Sequence, residues 1–321
     1  MRILITGAAG FIGSNLGDLL TDQSDIQVVG IDNFDPFYDR KIKENNLAGL
    51  KAKSNFQFLE CDICDEKALN ELFSNNKIDV VIHLAAKAGV RPSMENPLEY
   101  VRVNVQGTTN ILEAMRKNGI KKMVFASSSS VYGANEKVPF NEEDSLEKII
   151  SIYAATKLSC EKMNKVYSDV YGFSILNLRF FTVYGERQRP DLAIHKFFKS
   201  ILSNEPITVY GEGDSSRDYT YVKDIVSGIE SAMKYVLQKD SCYEIVNIGN
   251  NNPVNLLDLI AHIETVTGRK ALLEYKPMPM GDVPRTFADI SKANKLFGYV
   301  PSTNIADGLS RFYAWYQKNH S

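Results

Sequence analysis

The sequence predicts an α/β protein: a doubly wound parallel sheet followed by a smaller C-terminal α/β lobe. Three observations carry that prediction. Short apolar runs alternate with amphipathic helical stretches through the first half of the 321 residues, and a glycine-rich turn separates the first run from the first helix. The second half loses the alternation, yet holds no stretch beyond about a dozen residues that reads as a free linker. Strands alternating with helices need right-handed crossovers, which cover both faces of a parallel sheet.

Strands are expected at 2–6, 26–31, 56–61, 80–84, 122–127 and 174–179, each apolar and bounded by polar or turn residues. Helices are expected at 65–73, 104–118 and 152–171, where apolar residues return every three or four positions. Beyond Gly185 the pattern gives helices at 191–202, 223–237 and 256–267, and short strands at 207–210, 243–247 and 272–275. A Pro-, Met- and Gly-rich segment, 276–284, leads into two last helical stretches. The chain therefore divides into 1–179 and 180–321, with some of the second part returning to the first. Ligands of such a sheet bind beyond the carboxyl ends of the strands, where strand order reverses.

Composition excludes several functions. Against 39 acidic residues, 37 basic ones leave a net charge of -2, which gives no surplus for gripping nucleic acid. No apolar run is long enough to span a bilayer. The opening residues 1–13 read as a first strand rather than a secretory signal, because spaced glycines lead into a helix with no small-residue cleavage site. A cytoplasmic protein with reduced thiols is expected. Cys61 and Cys64 form a single CxxC with no second pair and no nearby histidine, so no metal is expected there.

Gly7, Gly10 and Gly13 lie between the first strand and the first helix. Gly7 allows the tight turn, Gly10 lets backbone approach a pyrophosphate, and Gly13 allows helix to pack closely on strand. The helix amino terminus then offers unpaired N–H groups to the phosphates. Asp32 ends the second strand 19 residues after Gly13, where a carboxylate can accept hydrogen bonds from both ribose hydroxyls. The same carboxylate repels a 2′-phosphate, which favours NAD over NADP. This is the Rossmann-type form of the doubly wound sheet. Asp62 and Ile63, ending the third strand, are expected to border the adenine.

Tyr153 and Lys157 lie one turn apart on a helical stretch. A phenol titrates near 10 when unperturbed. An adjacent ammonium, with a positive nicotinamide ring, would stabilise its phenolate and make Tyr153 a base. Ser127-Ser128-Ser129-Ser130 follows the fifth strand and delivers hydroxyls to the same end of the sheet.

TGAAGFIG, His83-Leu84-Ala85-Ala86, SSSSVYG, YAATK, RFFTVYG at 179–185, SRDY at 216–219 and GDVP at 281–284 together resemble the extended short-chain dehydrogenase/reductase family, specifically its nucleotide-sugar epimerases. The resemblance implies Ser128 as the catalytic hydroxyl, Tyr153 as base and Lys157 as the residue holding the ribose. It implies that Gly7, Gly10, Phe11, Ile12, Gly13, Asp32, Asn33, Asp62, Ile63, Leu84, Ala85, Ala86 and Asn104 line NAD with Tyr153 and Lys157. It implies a substrate set of Arg91, Ser129, Ser130, Thr182, Arg189, Arg217 and Asp282, and a homodimer built on the helices at 104–118 and 152–171.

Related 4,6-dehydratases and decarboxylases carry carboxyl groups where Ser128–Ser130 stand; their absence here implies a UDP-sugar 4-epimerase acting through a 4-keto sugar. AGVRPS at 88–93, Arg179–Gly185 followed by the Glu186–Asp191 segment with its RPD, and the GDVPRTFADISKA run are similar to UDP-glucuronate 4-epimerases. A sugar carboxylate needs dense hydrogen-bond donation, which Ser129, Ser130, Thr182 and an arginine would supply. Arginine suits a diphosphate as well. Glu186, Arg187 and Pro279 depart from the family pattern. Thr286 is small where strict UDP-glucose epimerases are bulky, which keeps UDP-GlcNAc/UDP-GalNAc and UDP-glucose/UDP-galactose epimerisation open. A non-catalytic NAD-binding module is the alternative of another class.

Overall fold

The computed structural model describes residues 1–277 and 283–320, the side chain of His320 excepted. Seven strands form one parallel sheet: β1 (Arg2–Thr6), β2 (Gln27–Asp32), β3 (Phe56–Glu60), β4 (Val80–His83), β5 (Lys122–Ser128), β6 (Ser174–Phe180) and, much later in the chain, Cys242–Ile248. The last strand pairs with β6 in parallel, so part of the second half does return to the first sheet. Strand order is that late strand, then β6-β5-β4-β1-β2-β3, which reverses between β1 and β4. The expected strands of this sheet fall within one residue of the observed ones.

Helices pack on both faces. One core layer gathers Leu4, Val81, Leu112, Phe125 and Ile175, and the other gathers Ile3, Ile82, Val124, Leu178 and Val226. Apolar residues face both ways along each strand because both faces are covered. The helix expected at 104–118 is instead a π-helical turn, Val101–Gln106, running into an α-helix, Gly107–Lys117. Gly107 allows close approach there: a Cβ would meet Ile63 Cδ1 at 2.6 Å. The helix Ile152–Tyr171 has the expected bounds, capped by Ser151 Oγ accepting from Ala154 N and stopped by Gly172 at φ 67°. The helix Arg40–Lys51 has no counterpart among the expected elements. Its first turns are polar, and Asp39 starts it by accepting from Lys41 N.

In the second half, β7 (Thr182–Tyr184) opens a small sheet with β9 (Ser216–Tyr221) and β11 (Pro253–Asn255), none of which was expected. Three to six residues with mixed polarity give little alternation to read. β8 (Pro206–Tyr210) pairs with β12 (Leu272–Lys276), and the late strand Cys242–Ile248 is β10. Asp218, fully buried on β9, accepts from Asn250 N, Asn251 N and Ala288 N and so gathers three segments around one carboxylate. No helix among the described residues is long and apolar enough to cross a membrane.

Candidate active site

A cavity of about 380 Å³ opens at the carboxyl ends of the strands, where the order reverses between β1 and β4. Gly7, Gly10, Phe11, Ile12, Gly13, Asp32, Asn33, Asp62, Ile63, Leu84, Ala85 and Ala86 line it, as the sequence leads one to expect. Gly10 heads the first helix with no side chain closing its N–H groups. A Cβ on Gly7 would meet Ala85 N at 2.9 Å, and one on Gly13 would collide with the Gly7 carbonyl oxygen. This cradle accepts a pyrophosphate against bare backbone. Asp32 accepts from Ala9 N (3.2 Å) and Phe34 N (2.9 Å), which fixes its carboxylate for a ribose diol. The cavity thus fits NAD.

Ser128, Tyr153 and Lys157 stand at the far end of the same cavity. Burial raises the pKa of Tyr153 above 10, while a hydrogen bond with Ser128 and the Arg189 cation work against burial. Lys157 Nζ donates to Ala126 O at 2.7 Å, and burial lowers its pKa to about 8. It lies 6.0 Å from the Tyr153 ring centre.

Asn104 does not line the cavity. It sits behind the wall in the π-helical turn, where its Nδ2 donates to Lys87 O and Thr156 Oγ1 and its Oδ1 accepts from Lys87 N. Arg189 lines the first cavity beside Tyr153 and binds Asp191 through two N–H groups.

A second cavity of about 190 Å³ takes Arg91, Ser129, Ser130, Thr182, Arg217 and Thr286 into its wall, and Thr182 lines both cavities. Among the described residues, no carboxylate lines it. Arg217 Nη1 donates to Ser216 O, and Arg91 lies over the Tyr210 ring. Thr286 Oγ1 accepts from Asp218 N, which turns its hydroxyl toward backbone. Asp282 and Pro279 lie outside the described residues.

Several site residues escape the sequence reading. Lys43, Tyr38 and the Asp35–Lys87 ion pair all line or border the first cavity. Lys43 carries no motif; only its place on a helix started by Asp39 brings it back to Asp32. Cys61 and Cys64 are thiols that burial pushes up to about 11, so neither is a thiolate at neutral pH.

Fold and site define an enzyme of the short-chain dehydrogenase/reductase class, with a dinucleotide cradle leading to a serine, tyrosine and lysine. Residues 3–249 match the NAD dependent epimerase/dehydratase family. The chain belongs to that family, and its cofactor is NAD. It is 48% identical to an uncharacterized protein of Methanocaldococcus jannaschii, covering 99% of this chain and 97% of that one. It is 42% identical to a UDP-glucuronate 4-epimerase of Thermodesulfobacterium geofontis, covering 98% and 96%. Among solved structures, UDP-glucuronic acid 4-epimerase from Bacillus cereus in complex with UDP-glucuronic acid and NAD superposes with a TM-score of 0.93 at 39% identity, covering all of both chains.

Proposed function

We propose that this protein is an NAD-dependent UDP-sugar 4-epimerase whose substrate is UDP-glucuronate, interconverted with UDP-galacturonate. The observation that carries the reading is the second cavity, lined by two guanidinium groups and four hydroxyl side chains, with no carboxylate among the described residues of its wall. Such a wall suits an anionic sugar and its diphosphate. Among its described residues it also offers no carboxyl group for eliminating oxygen from C6. The named relatives support the same substrate.

NAD, when bound, supplies the acceptor for the C4 hydride and returns it. Tyr153 takes the proton of the sugar 4-hydroxyl, directly or through Ser128, and returns it to the C4 oxygen once the 4-keto sugar has turned over to present its other face. Ser128 orients that hydroxyl, and its hydrogen bond with Tyr153 favours the phenolate against burial. Lys157 holds the ribose with an ammonium fixed by Ala126 O. Arg217 and Arg91 neutralise the diphosphate and carboxylate, while Ser129, Ser130 and Thr182 donate to the sugar.

Thr286 favours a second reading. A small side chain whose hydroxyl is engaged by Asp218 N leaves room for an N-acetyl group at C2, as UDP-GlcNAc would require.

A homodimer belongs to the same proposal. Leu98 (82% exposed), Met94, Val101, Val166 and Val170 leave an apolar surface beside the catalytic helix that a second copy would cover.

The test is to incubate the protein with NAD and UDP-glucuronate, UDP-glucose or UDP-GlcNAc separately, and to resolve the C4 epimers by chromatography. Conversion of UDP-glucuronate alone supports the carboxylate reading. Conversion of UDP-GlcNAc alone replaces it with the second.

A further inference from the structure

Three consecutive residues of β5 each engage the catalytic helix. Ala126 accepts from Lys157 through its carbonyl oxygen, Ser128 contacts the Tyr153 phenol, and between them Ser127 Oγ donates to Glu161 Oε1 at 2.5 Å. The helix residues are spaced four apart, at 153, 157 and 161, so all three lie on one face. The outer two contacts belong to the chemistry described above. The middle one does not.

Glu161 is held from the other side by Arg179, which donates from Nε to Oε1 at 3.0 Å and from Nη2 to Oε2 at 2.9 Å. Both side chains are at most 1% exposed. Arg179 is the register partner of Ser127 across the β5–β6 ladder. Its remaining guanidinium nitrogen, Nη1, donates to Tyr132 OH, which donates in turn to Asn247 Oδ1 on β10. The carboxylate is therefore immobile, tied through one chain of hydrogen bonds to three adjacent strands. Neutralising Arg179 needs only two of its contacts. The third, to Ser127, joins this fixed anion to the strand end that carries Ser128.

We propose that Glu161, acting through Ser127, is a positioning residue that sets β5 against the catalytic helix and thereby holds the Ser128 hydroxyl on Tyr153. The proposal deepens the function above, since it takes Tyr153 as the proton acceptor. Its effect is read at the phenol. The groups facing Tyr153 are Ser128 from β5, Arg189 from the loop after β7, the Tyr100 ring edge-on at 6.3 Å, and Lys157 on its own helix. Of these, the Ser127–Glu161 bond controls Ser128.

Removing Glu161 would strand the Arg179 cation in the core and threaten folding, so the test is made at the other end. Ser127→Ala keeps the Glu161–Arg179 pair. Tyr153 is titrated by tyrosinate absorbance in the full chain, with and without NAD, as the difference from the same protein carrying Tyr153→Phe. Losing the Ser128 contact should move that titration up by about one pH unit. With UDP-sugar the acid limb of kcat should move the same way, with KM held and the melting temperature lowered only as the loss of one buried hydrogen bond requires. A Tyr153 titration unmoved by Ser127→Ala overturns the proposal, whatever happens to turnover. Wild-type protein that epimerises no UDP-sugar counts against the function alone, because the titration needs no sugar.

Discussion

Lys43 Nζ stands 3.5 Å from Asp32 Oδ1, and each side chain is only 7% exposed. The carboxylate expected to select an unphosphorylated ribose is thus partly balanced by a cation on the same wall, from the first turn of the helix Arg40–Lys51. Replacing Asp32 with Ala removes the ribose acceptor and leaves Lys43 without its counter-charge. NAD should bind about 10–100-fold more weakly, the loss of hydrogen bonds to a charged group. Lys43 should then favour a 2′-phosphate, so discrimination against NADP should collapse. Calorimetric titration with both cofactors checks this; an unchanged preference for NAD would remove Asp32 from the ribose.

Tyr153→Phe keeps the ring against Tyr100 and deletes the phenol that lines the first cavity beside Ser128. Turnover should fall by about 10²–10⁴-fold, the usual worth of a general base. NAD affinity should change little. Steady-state kinetics beside a binding titration separates the two effects.

Lys157 titrates near 8 in the folded chain because burial disfavours its charge, against 10.5 unperturbed. Below pH 8 the group is protonated folded and unfolded, and the folded state bears the full cost of the buried cation. As pH rises from about 8 toward 10.5 the unfolded chain holds more protons, so this contribution to stability increases. The NAD-free protein should gain stability over that window relative to Lys157→Met, measured by urea unfolding at a series of pH values. NAD affinity should fall over the same window as the ribose loses its ammonium.

Arg179→Met leaves Glu161 as a buried carboxylate without its guanidinium partner. The cost should be about 3–5 kcal/mol, as for breaking other buried pairs from one side. Chemical denaturation measures it. A cost below about 1 kcal/mol would mean that water reaches Glu161.

The first sheet and its cradle were legible in the sequence because each rests on local pattern. Five-residue apolar runs fix strands, and Gly7, Gly10 and Gly13 announce a turn with a bare helix end. Tyr153 and Lys157 were legible through helical spacing. Lys43 shows where local pattern ends: it reaches Asp32 only because the helix Arg40–Lys51 folds back over β2. Asn104, which only the resemblance placed against NAD, sits behind the cavity wall in the π-helical turn, held by Lys87 and Thr156. The small sheet of β7, β9 and β11 was missed because its order is set by Asp218 and the segments it collects, residues far apart in sequence.

Thr182 belongs to the walls of both cavities, and that shared membership constrains how the protein can change. A substitution there is read twice, once by the cofactor and once by the sugar, so a gain for one ligand is exposed to a loss for the other. Arg91, Arg217 and Thr286 line only the second cavity, where the proposed function seats the sugar. Selection for a new substrate has an open path through those three positions and a narrow one through Thr182.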